Sequence, residues 1–221
     1  MATLLSDNFN RADNASVIGA PQTGPSPVVQ TGVGGISGNQ MYAPTGPMVA
    51  TYDLGTADVE ISFLAVNING IIASVVLGYV GGTDYYYVSF VGNNAVSLVR
   101  VTTGGSVTLY ASSVKPPTIN SSVCKAHYKD GIVRAYVDGV LVFRWLLDAP
   151  ITSHLHGVRQ STNQVRIDNL LGTDAPVISE PDLTGGLQTN ALTFSDGAAF
   201  ISPAFGYRGR DTKIQDTATG A

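Results

Sequence analysis

The sequence predicts an all-β protein, an antiparallel β-sandwich with an extended C-terminal arm. Three observations support this prediction. Turn-forming residues recur roughly every ten residues through the middle of the chain, which is the spacing of a sandwich or barrel. Several segments alternate apolar and polar residues, and none sustains the 3.6-residue apolar period of a helix. Charged residues make up only 13% of the 221 residues, whereas 25 are Gly and 11 are Pro.

The run 129–145 is the strongest local signal in the chain. It contains Asp130-Gly131 and Asp138-Gly139, one pair at each end of a short alternating segment. Asp-Gly provides the positive φ angles of a two-residue type I′ turn. The run therefore predicts a three-stranded antiparallel meander.

The remaining strands follow from alternation and turn signals. Residues 1–50 are rich in turns and contain two short predicted strands, at 28–31 and 48–52. Segment 58–66 alternates with one buried face, and 71–80 is apolar on both faces, which predicts a central strand. Further strands are predicted in this order, around an irregular segment at 147–153: 85–91, 95–102, 107–112, 123–129, 156–159 and 165–170.

The C-terminal part differs in composition. From Asp174 onward Pro and Gly interrupt every apolar piece, and only 191–194 and 198–201 could form a hairpin. We therefore divide the chain into a sandwich, 1–173, and an extended arm, 174–221. The aromatic and Arg side chains of the arm are the predicted docking residues: Phe194, Phe200, Phe205, Tyr207, Arg208 and Arg210.

Charge and apolar runs exclude several partners. The net charge is −4 and no basic cluster occurs, so we expect no nucleic-acid binding. The first nine residues lack the features of a signal peptide, and no apolar run approaches the ~20 residues of a membrane helix. We therefore expect synthesis in the host cytoplasm without membrane insertion. Cys124 is the only cysteine, and we expect it to be a small buried residue.

Candidate catalytic groups are few. Asp58 and Glu60 are spaced i, i+2, as acid and nucleophile are on a glycosidase strand, but no third carboxylate follows them. Because the apolar residues of that strand occupy its other face, we expect both acids to face solvent. No G-x-S-x-G elbow occurs either. We predict no catalytic residues and a protein that is not an enzyme.

Metal ligands are also sparse. His154 and His156 could share a strand face, but neither they nor His127 have an obvious further ligand. The carboxylates that could bind calcium at turns form no dense Asp-x-Asp-x-Asn loop: Asp84, Asp138, Asp168 and Asp174. We predict no metal and no cofactor, with calcium as the open alternative.

The run Tyr85-Tyr86-Tyr87 is the main aromatic cluster. On a strand Tyr85 and Tyr87 point one way and Tyr86 the other. Exposed tyrosines could stack on a sugar ring or anchor a protein interface, whereas buried ones would pack into the core. We take the three as candidate glycan or interface contacts.

Three segments resemble a known family. The opening Asp7-Asn8-Phe9-Asn10-Arg11-Ala12-Asp13, the middle Ala135-Tyr136-Val137-Asp138-Gly139-Val140 and the closing Arg166-Ile167-Asp168-Asn169-Leu170 resemble concanavalin-like, laminin-G-like jelly-roll domains. Such domains are frequent in bacterial surface proteins and in bacteriophage tail and virion proteins. The resemblance spans about 3–171 and implies a jelly roll whose last strand pairs beside the first.

The resemblance and the composition lead to one expected function and two alternatives. We expect a non-enzymatic bacteriophage virion protein, either a capsid decoration or a tail, fibre or baseplate component. It would dock through its arm onto other virion proteins, as a homo-oligomer such as a trimer. The first alternative is a carbohydrate-binding module that attaches to a host-surface glycan. The second is a glycoside hydrolase or lyase.

Overall fold

A computed structural model describes residues 1–66, 72–82, 84–92, 95–113, 121–162 and 165–176, together with 191–193 and 199–201. These parts contain strands and turns but no helix. The strands are β1 (Thr3–Asp7), β2 (Val28–Thr31), β3 (Gly35–Ser37), β4 (Gln40–Tyr42), β5 (Met48–Asp53), β6 (Val59–Val66), β7 (Ile72–Leu77), β8 (Tyr85–Val91), β9 (Ala95–Thr102), β10 (Gly105–Ser113), β11 (Val123–Lys129), β12 (Ile132–Val137), β13 (Val140–Leu146), β14 (Leu155–Gln160), β15 (Arg166–Asp174), β16 (Ala191–Thr193) and β17 (Ala199–Ile201).

The first fifteen strands form two antiparallel sheets. Sheet A has the order β13-β12-β11-β6-β15-β4-β3, and β1 also pairs with β15. Sheet B has the order β10-β9-β8-β7-β14-β5-β2. The predicted all-β sandwich is confirmed, and so is the pairing of the first strand with the last. Strands β1, β3 and β4 were not among the strands predicted from alternation.

The core lies between the inner faces of the two sheets. Along β6 every second residue is buried, and β8 and β7 contribute alternate residues in the same way. Phe63 of sheet A meets Phe90 of sheet B edge to face, with ring centroids 5.9 Å apart. Cys124 is fully buried in this core, as expected. Burial also raises the pKa of its thiol.

The double Asp-Gly run folds as predicted. Asp130 and Asp138 have φ angles of 51° and 50°, and the glycines that follow them are also positive, at 80° and 79°. These are the signs that a type I′ turn requires. The turns join β11 to β12 and β12 to β13 in the expected meander.

The opening motif has a structural role. Arg11 donates two hydrogen bonds to the buried carboxylate of Asp7, at 3.0 and 2.5 Å, and its Nε donates to the carbonyl of Ile18 at 2.8 Å. The amide of Phe9 donates to the same carboxylate at 2.9 Å. The motif thus fixes the loop that follows β1.

The arm is described only in part. β15 ends at Asp174, and β16 and β17 pair antiparallel at the two apolar pieces seen in the sequence. Phe200 lies in β17, and the other predicted docking residues lie outside the described residues: Phe194, Phe205, Tyr207, Arg208 and Arg210. Within the described ranges no helix is long and apolar enough to cross a membrane.

Candidate functional site

Strand β8 presents its three consecutive tyrosines to opposite sides of sheet B. Tyr86 points inward, is 7% exposed and belongs to the main core. Tyr85 and Tyr87 point outward, on the side of the sheet that faces away from sheet A; Tyr85 is also buried, at 8% exposed, whereas Tyr87 is half-buried. Tyr86 is therefore corrected from a candidate contact to a core residue. The period of two residues along a strand dictates this separation.

The outward tyrosines belong to a second apolar cluster, which we call the tyrosine face. It is made of residues from five strands of sheet B and the turn after β7: Val49, Val76, Tyr79, Tyr85, Tyr87, Val101 and Leu155. The ring centroids of Tyr79 and Tyr85 lie 5.2 Å apart, and those of Tyr85 and Tyr87 lie 6.2 Å apart. The three rings thus form a continuous aromatic row.

Strand register places a row of small polar residues beside the tyrosines. Ser97 pairs with Ser89, Ser89 pairs with Ser74, and Ser74 pairs with Arg159. Paired residues on adjacent strands point to the same side of a sheet. The tyrosine face therefore has a row of hydroxyls that leads across three strands to a single cation.

Arg159 spans this surface. Its guanidinium lies 4.8 Å from the ring centroid of Tyr87, and it is near enough to Tyr85 for its charge to oppose the rise in the pKa of that hydroxyl. Arg159 stands on β14 and Tyr87 on β8, with β7 between them, so the arginine side chain must cross over β7. This explains why Ser74 and Val76 of β7 are fully buried although they point outward.

Burial and the guanidinium both act on the tyrosines. Loss of hydration raises the pKa of Tyr85, and Arg159 opposes this effect because it stabilises a phenolate. Burial likewise raises the pKa of Tyr79. Both hydroxyls therefore stay protonated at neutral pH and can donate as well as accept hydrogen bonds.

The predicted candidate carboxylates lie away from this face. Glu60 forms an ion pair with Lys125 at 3.2 Å, and Asp58 forms one with Lys129 at 3.0 Å. Asp58 also accepts from the amide of Asp130 at 3.4 Å. Each carboxylate thus has a cationic partner of its own, and the two do not act as a pair toward one cleft.

The histidines do not converge. His154 is exposed, whereas His156 is buried with both ring nitrogens in hydrogen bonds, to the amide of Gly78 and to the carbonyl of Thr56. His127 lies on the other sheet, between Arg134 and the carbonyl of Pro176. No group of three His, Cys, Asp or Glu that could hold a metal occurs among the described residues.

The aspartates considered for calcium each have a local partner. The Asp138 carboxylate accepts from the Ser122 hydroxyl and the Val123 amide, both at 2.8 Å. Asp84 faces Arg100 at 3.8 Å. The other two bond to backbone amides close to their own strand, Asp168 to Asn169 and Asp174 to Ala2. These contacts are those of turns and strand ends.

Sequence reasoning missed two residues of this site: Tyr79, which belongs to the tyrosine face, and Arg159, which lies against it. Tyr79 follows β7 and lies beside Tyr85 because β8 returns antiparallel along β7. Arg159 is distant in sequence and reaches the site because β14 inserts between β5 and β7. The sequence signal for it was an Arg at the end of the predicted strand 156–159.

Comparisons with known proteins agree with the architecture. The sequence matches no protein-family model and no curated protein. The carbohydrate binding module CBM66 from Bacillus subtilis is similar in structure, with a TM-score of 0.55, 10% identity, and coverage of 66% of this chain and 94% of that chain. A Bacillus subtilis protein of unknown function with a galectin-like fold has a TM-score of 0.53, 12% identity, and coverage of 67% and 89%. The endo-beta-1,3-glucanase from Pyrococcus furiosus has a TM-score of 0.53, 9% identity, and coverage of 77% and 93%.

These likenesses define the fold class. The chain has a concanavalin-like jelly-roll fold, as the three sequence segments implied. Within that class its structural neighbours include a carbohydrate-binding module, a galectin-like protein and a glucanase. None of these three is described as a bacteriophage protein, so the virion role stays a prediction. At such low identity the likeness concerns the fold alone.

Proposed function

We propose that this chain is a non-enzymatic carbohydrate-binding module and that the tyrosine face binds the glycan. The observation that carries the proposal is the contact set of Tyr79, Tyr85, Tyr87 and Arg159 on an outer sheet face. A sugar ring has apolar C–H surfaces that stack on aromatic rings, and hydroxyls that need donors and acceptors nearby. The half-buried ring of Tyr87 offers the first, backed by the buried rings of Tyr85 and Tyr79. The half-buried Arg159 and Ser97 offer the second.

A glycan array with the full chain tests the proposal. Tyr87→Ala should weaken binding about tenfold, since it removes both a ring surface and the support for Arg159. The matched control is Tyr136→Ala on sheet A, where the Lys125 Nζ lies 4.7 Å from the ring centroid. That variant should bind as the parent does, and thermal unfolding should show that both variants fold. A blank array, or equal losses in the two variants, would contradict the proposal.

The non-enzymatic part of the proposal has its own support and test. Asp58 and Glu60 are each engaged by a lysine on sheet A, far from the tyrosine face. We therefore expect no polysaccharide to be cleaved. Hydrolysis or elimination that disappears in Glu60→Gln, measured by release of reducing sugar, would instead support the glycoside hydrolase or lyase alternative.

We further propose that the module serves on a bacteriophage virion, attached to other virion proteins through 174–221 as a homo-oligomer. The support is compositional: only 13% of residues are charged, and Gly and Pro interrupt the arm throughout. Glycan adhesion and attachment to a particle are compatible roles. Co-purification with phage particles, located on the capsid or the tail by immunogold labelling, tests this proposal. A monomer that never associates with particles would contradict it.

A further inference from the structure

Arg159 is a cation without a counter-ion on the tyrosine face. Within the described ranges the ion pairs join Arg11 to Asp7, Arg100 to Asp84, Lys125 to Glu60 and Lys129 to Asp58, and none involves Arg159. Its guanidinium lies instead over the ring of Tyr87, 4.8 Å from the ring centroid. A guanidinium has five donors, so most of its hydrogen-bonding capacity remains available.

The described residues that pair with Arg159 on its two sides carry no negative charge. Its neighbours across the two flanking strands are Ser74 on β7 and Val49 on β5. On the same side of β5 an acidic residue, Asp53, stands at the far end of the strand, and its carboxylate accepts from the amide of Gly55. Because the whole chain carries a net charge of −4, a lone cation in an apolar cluster is a local exception.

A second observation points to a ligand at the same place. The hydroxyl of Ser74 is buried beneath Arg159 and has no hydrogen-bond partner in the described part of the chain. A buried hydroxyl without a partner destabilises the fold unless a ligand satisfies it. A ligand that drew Arg159 away from Tyr87 would uncover this hydroxyl and could accept a hydrogen bond from it.

From these contacts we infer that the tyrosine face selects a glycan bearing a carboxylate or sulfate group, and that Arg159 binds this group. The inference rests on the proposed glycan-binding function and adds the class of sugar to it. A guanidinium matches two anionic oxygens with two parallel N–H donors, and such charge-assisted bonds are about twice as strong as neutral ones. The sugar ring that carries the anion would then lie along Tyr87, the half-buried tyrosine of the face.

The experiment compares each acidic probe with its neutral counterpart on one array, using the full chain. The pairs are an oligogalacturonate and its methyl ester, sialyllactose and lactose, and a sulfated galactose oligosaccharide and its desulfated form. We expect at least one acidic member to bind 10-fold to 100-fold more tightly than its neutral partner, since a bond to a charged group contributes about 1.5 to 3 kcal/mol. Raising the salt concentration should reduce this preference.

Variants assign the preference to Arg159. Arg159→Gln should remove it, and Arg159→Lys should keep part of it because the charge remains while the planar fork is lost. Lys129→Gln removes one positive charge from sheet A and should leave the preference intact.

Three outcomes would count against these ideas in different ways. Neutral members that bind as well as acidic ones, with binding still lost in Tyr87→Ala, would overturn the acidic-sugar inference and leave the glycan-binding function standing. An acidic preference that persists in Arg159→Gln would also overturn the inference. A panel on which nothing binds would overturn both.

Discussion

His156 connects three parts of the sandwich through one neutral ring. Its Nδ1 accepts a hydrogen bond from the amide of Gly78 at 3.3 Å, and its Nε2 donates to the carbonyl of Thr56 at 3.1 Å. The ring needs a lone pair on Nδ1 for the first bond, so a second proton would break it. Burial lowers the pKa of His156 to about 4, from an ordinary value near 6.5.

This histidine makes the stability depend on pH. Because the folded pKa is depressed, the unfolded chain binds the proton first, and the stabilisation is fully present above pH 6.5. It should be lost progressively as pH falls from 6.5 toward 4, by up to ~3 kcal/mol. Denaturant unfolding measured at a series of pH values checks the prediction.

Two histidine variants separate this effect from general acid sensitivity. His156→Gln should be less stable at neutral pH but lose less stability between pH 6.5 and 4. His154→Gln should keep most of the parent's pH dependence, since that residue is exposed and its charge is a lesser cause of the lowered pKa of His156 than burial. Burial also lowers the pKa of His127, so some pH dependence should remain in either variant. An unchanged slope in His156→Gln would contradict the assignment.

At the scale of elements, several strands end at glycines with positive φ angles. Two of these glycines, Gly78 and Gly139, differ in the space that a side chain would find. Gly139 completes a type I′ turn with φ of 79°, and a Cβ there would meet nothing within 4 Å. Gly78 follows β7 with φ of 61°, and its Cβ would lie 2.2 Å from Cγ2 of Ile151. A substitution at either position would strain the backbone, but only a Cβ at Gly78 would also clash with a neighbouring side chain.

The pair Gly139→Ala and Gly78→Ala therefore measures strain and clash separately. The first should cost about 1 to 2 kcal/mol, from a left-handed backbone alone. The second should cost about 2 to 5 kcal/mol, because overpacking against Ile151 adds to the strain. Free energies of unfolding in denaturant give both values. Equal losses would mean that Ile151 moves aside without cost.

Local chemistry explains which elements could be predicted from sequence. The Asp130-Gly131 and Asp138-Gly139 turns are specified by two adjacent residues each, so they could be identified directly. β3 and β4 are three residues each, too short for alternation to be visible, and they pair at the edge of sheet A beside a strand far along the chain. They pair with each other around Gly38-Asn39, where both φ angles are positive, and β4 joins sheet A through one residue pair, Met41 with Ile167 of β15. That non-local pairing has no local sequence signal.

At the scale of the whole molecule, the candidate site depends on strand order. Tyr85 and Tyr87 could be predicted as a pair because the period of two residues holds within one strand. Arg159 joins them only when β14 lies next to β7, and that order depends on non-local pairing that a single sequence does not specify. The pairing of β1 with β15 is non-local in the same way, since the two strands come from opposite ends of the domain.

The C-terminal end of β15 sets a boundary that truncation can test. The amide of Asp174 donates to the carbonyl of Ala2 at 3.1 Å, and the amide of Ala175 donates to that of Asp58 at 3.2 Å. The carbonyl of Pro176 lies 3.2 Å from Nε2 of the buried His127. These contacts extend the sandwich beyond residue 173, the boundary chosen from composition.

We therefore predict different behaviour for two truncated chains, 1–173 and 1–176. The shorter should be less stable than the longer by about 2 kcal/mol, since it loses these backbone bonds and leaves His127 without its acceptor. The longer chain should unfold at the same temperature as the full chain of 221 residues. It should no longer form the oligomer that we expect the arm to hold together. Thermal unfolding and light scattering after size exclusion measure the two effects. If 1–176 is as unstable as 1–173, the contacts at Asp174 to Pro176 do not stabilise the sandwich. If 1–176 keeps the assembly state of the full chain, the proposed docking role of the arm is wrong.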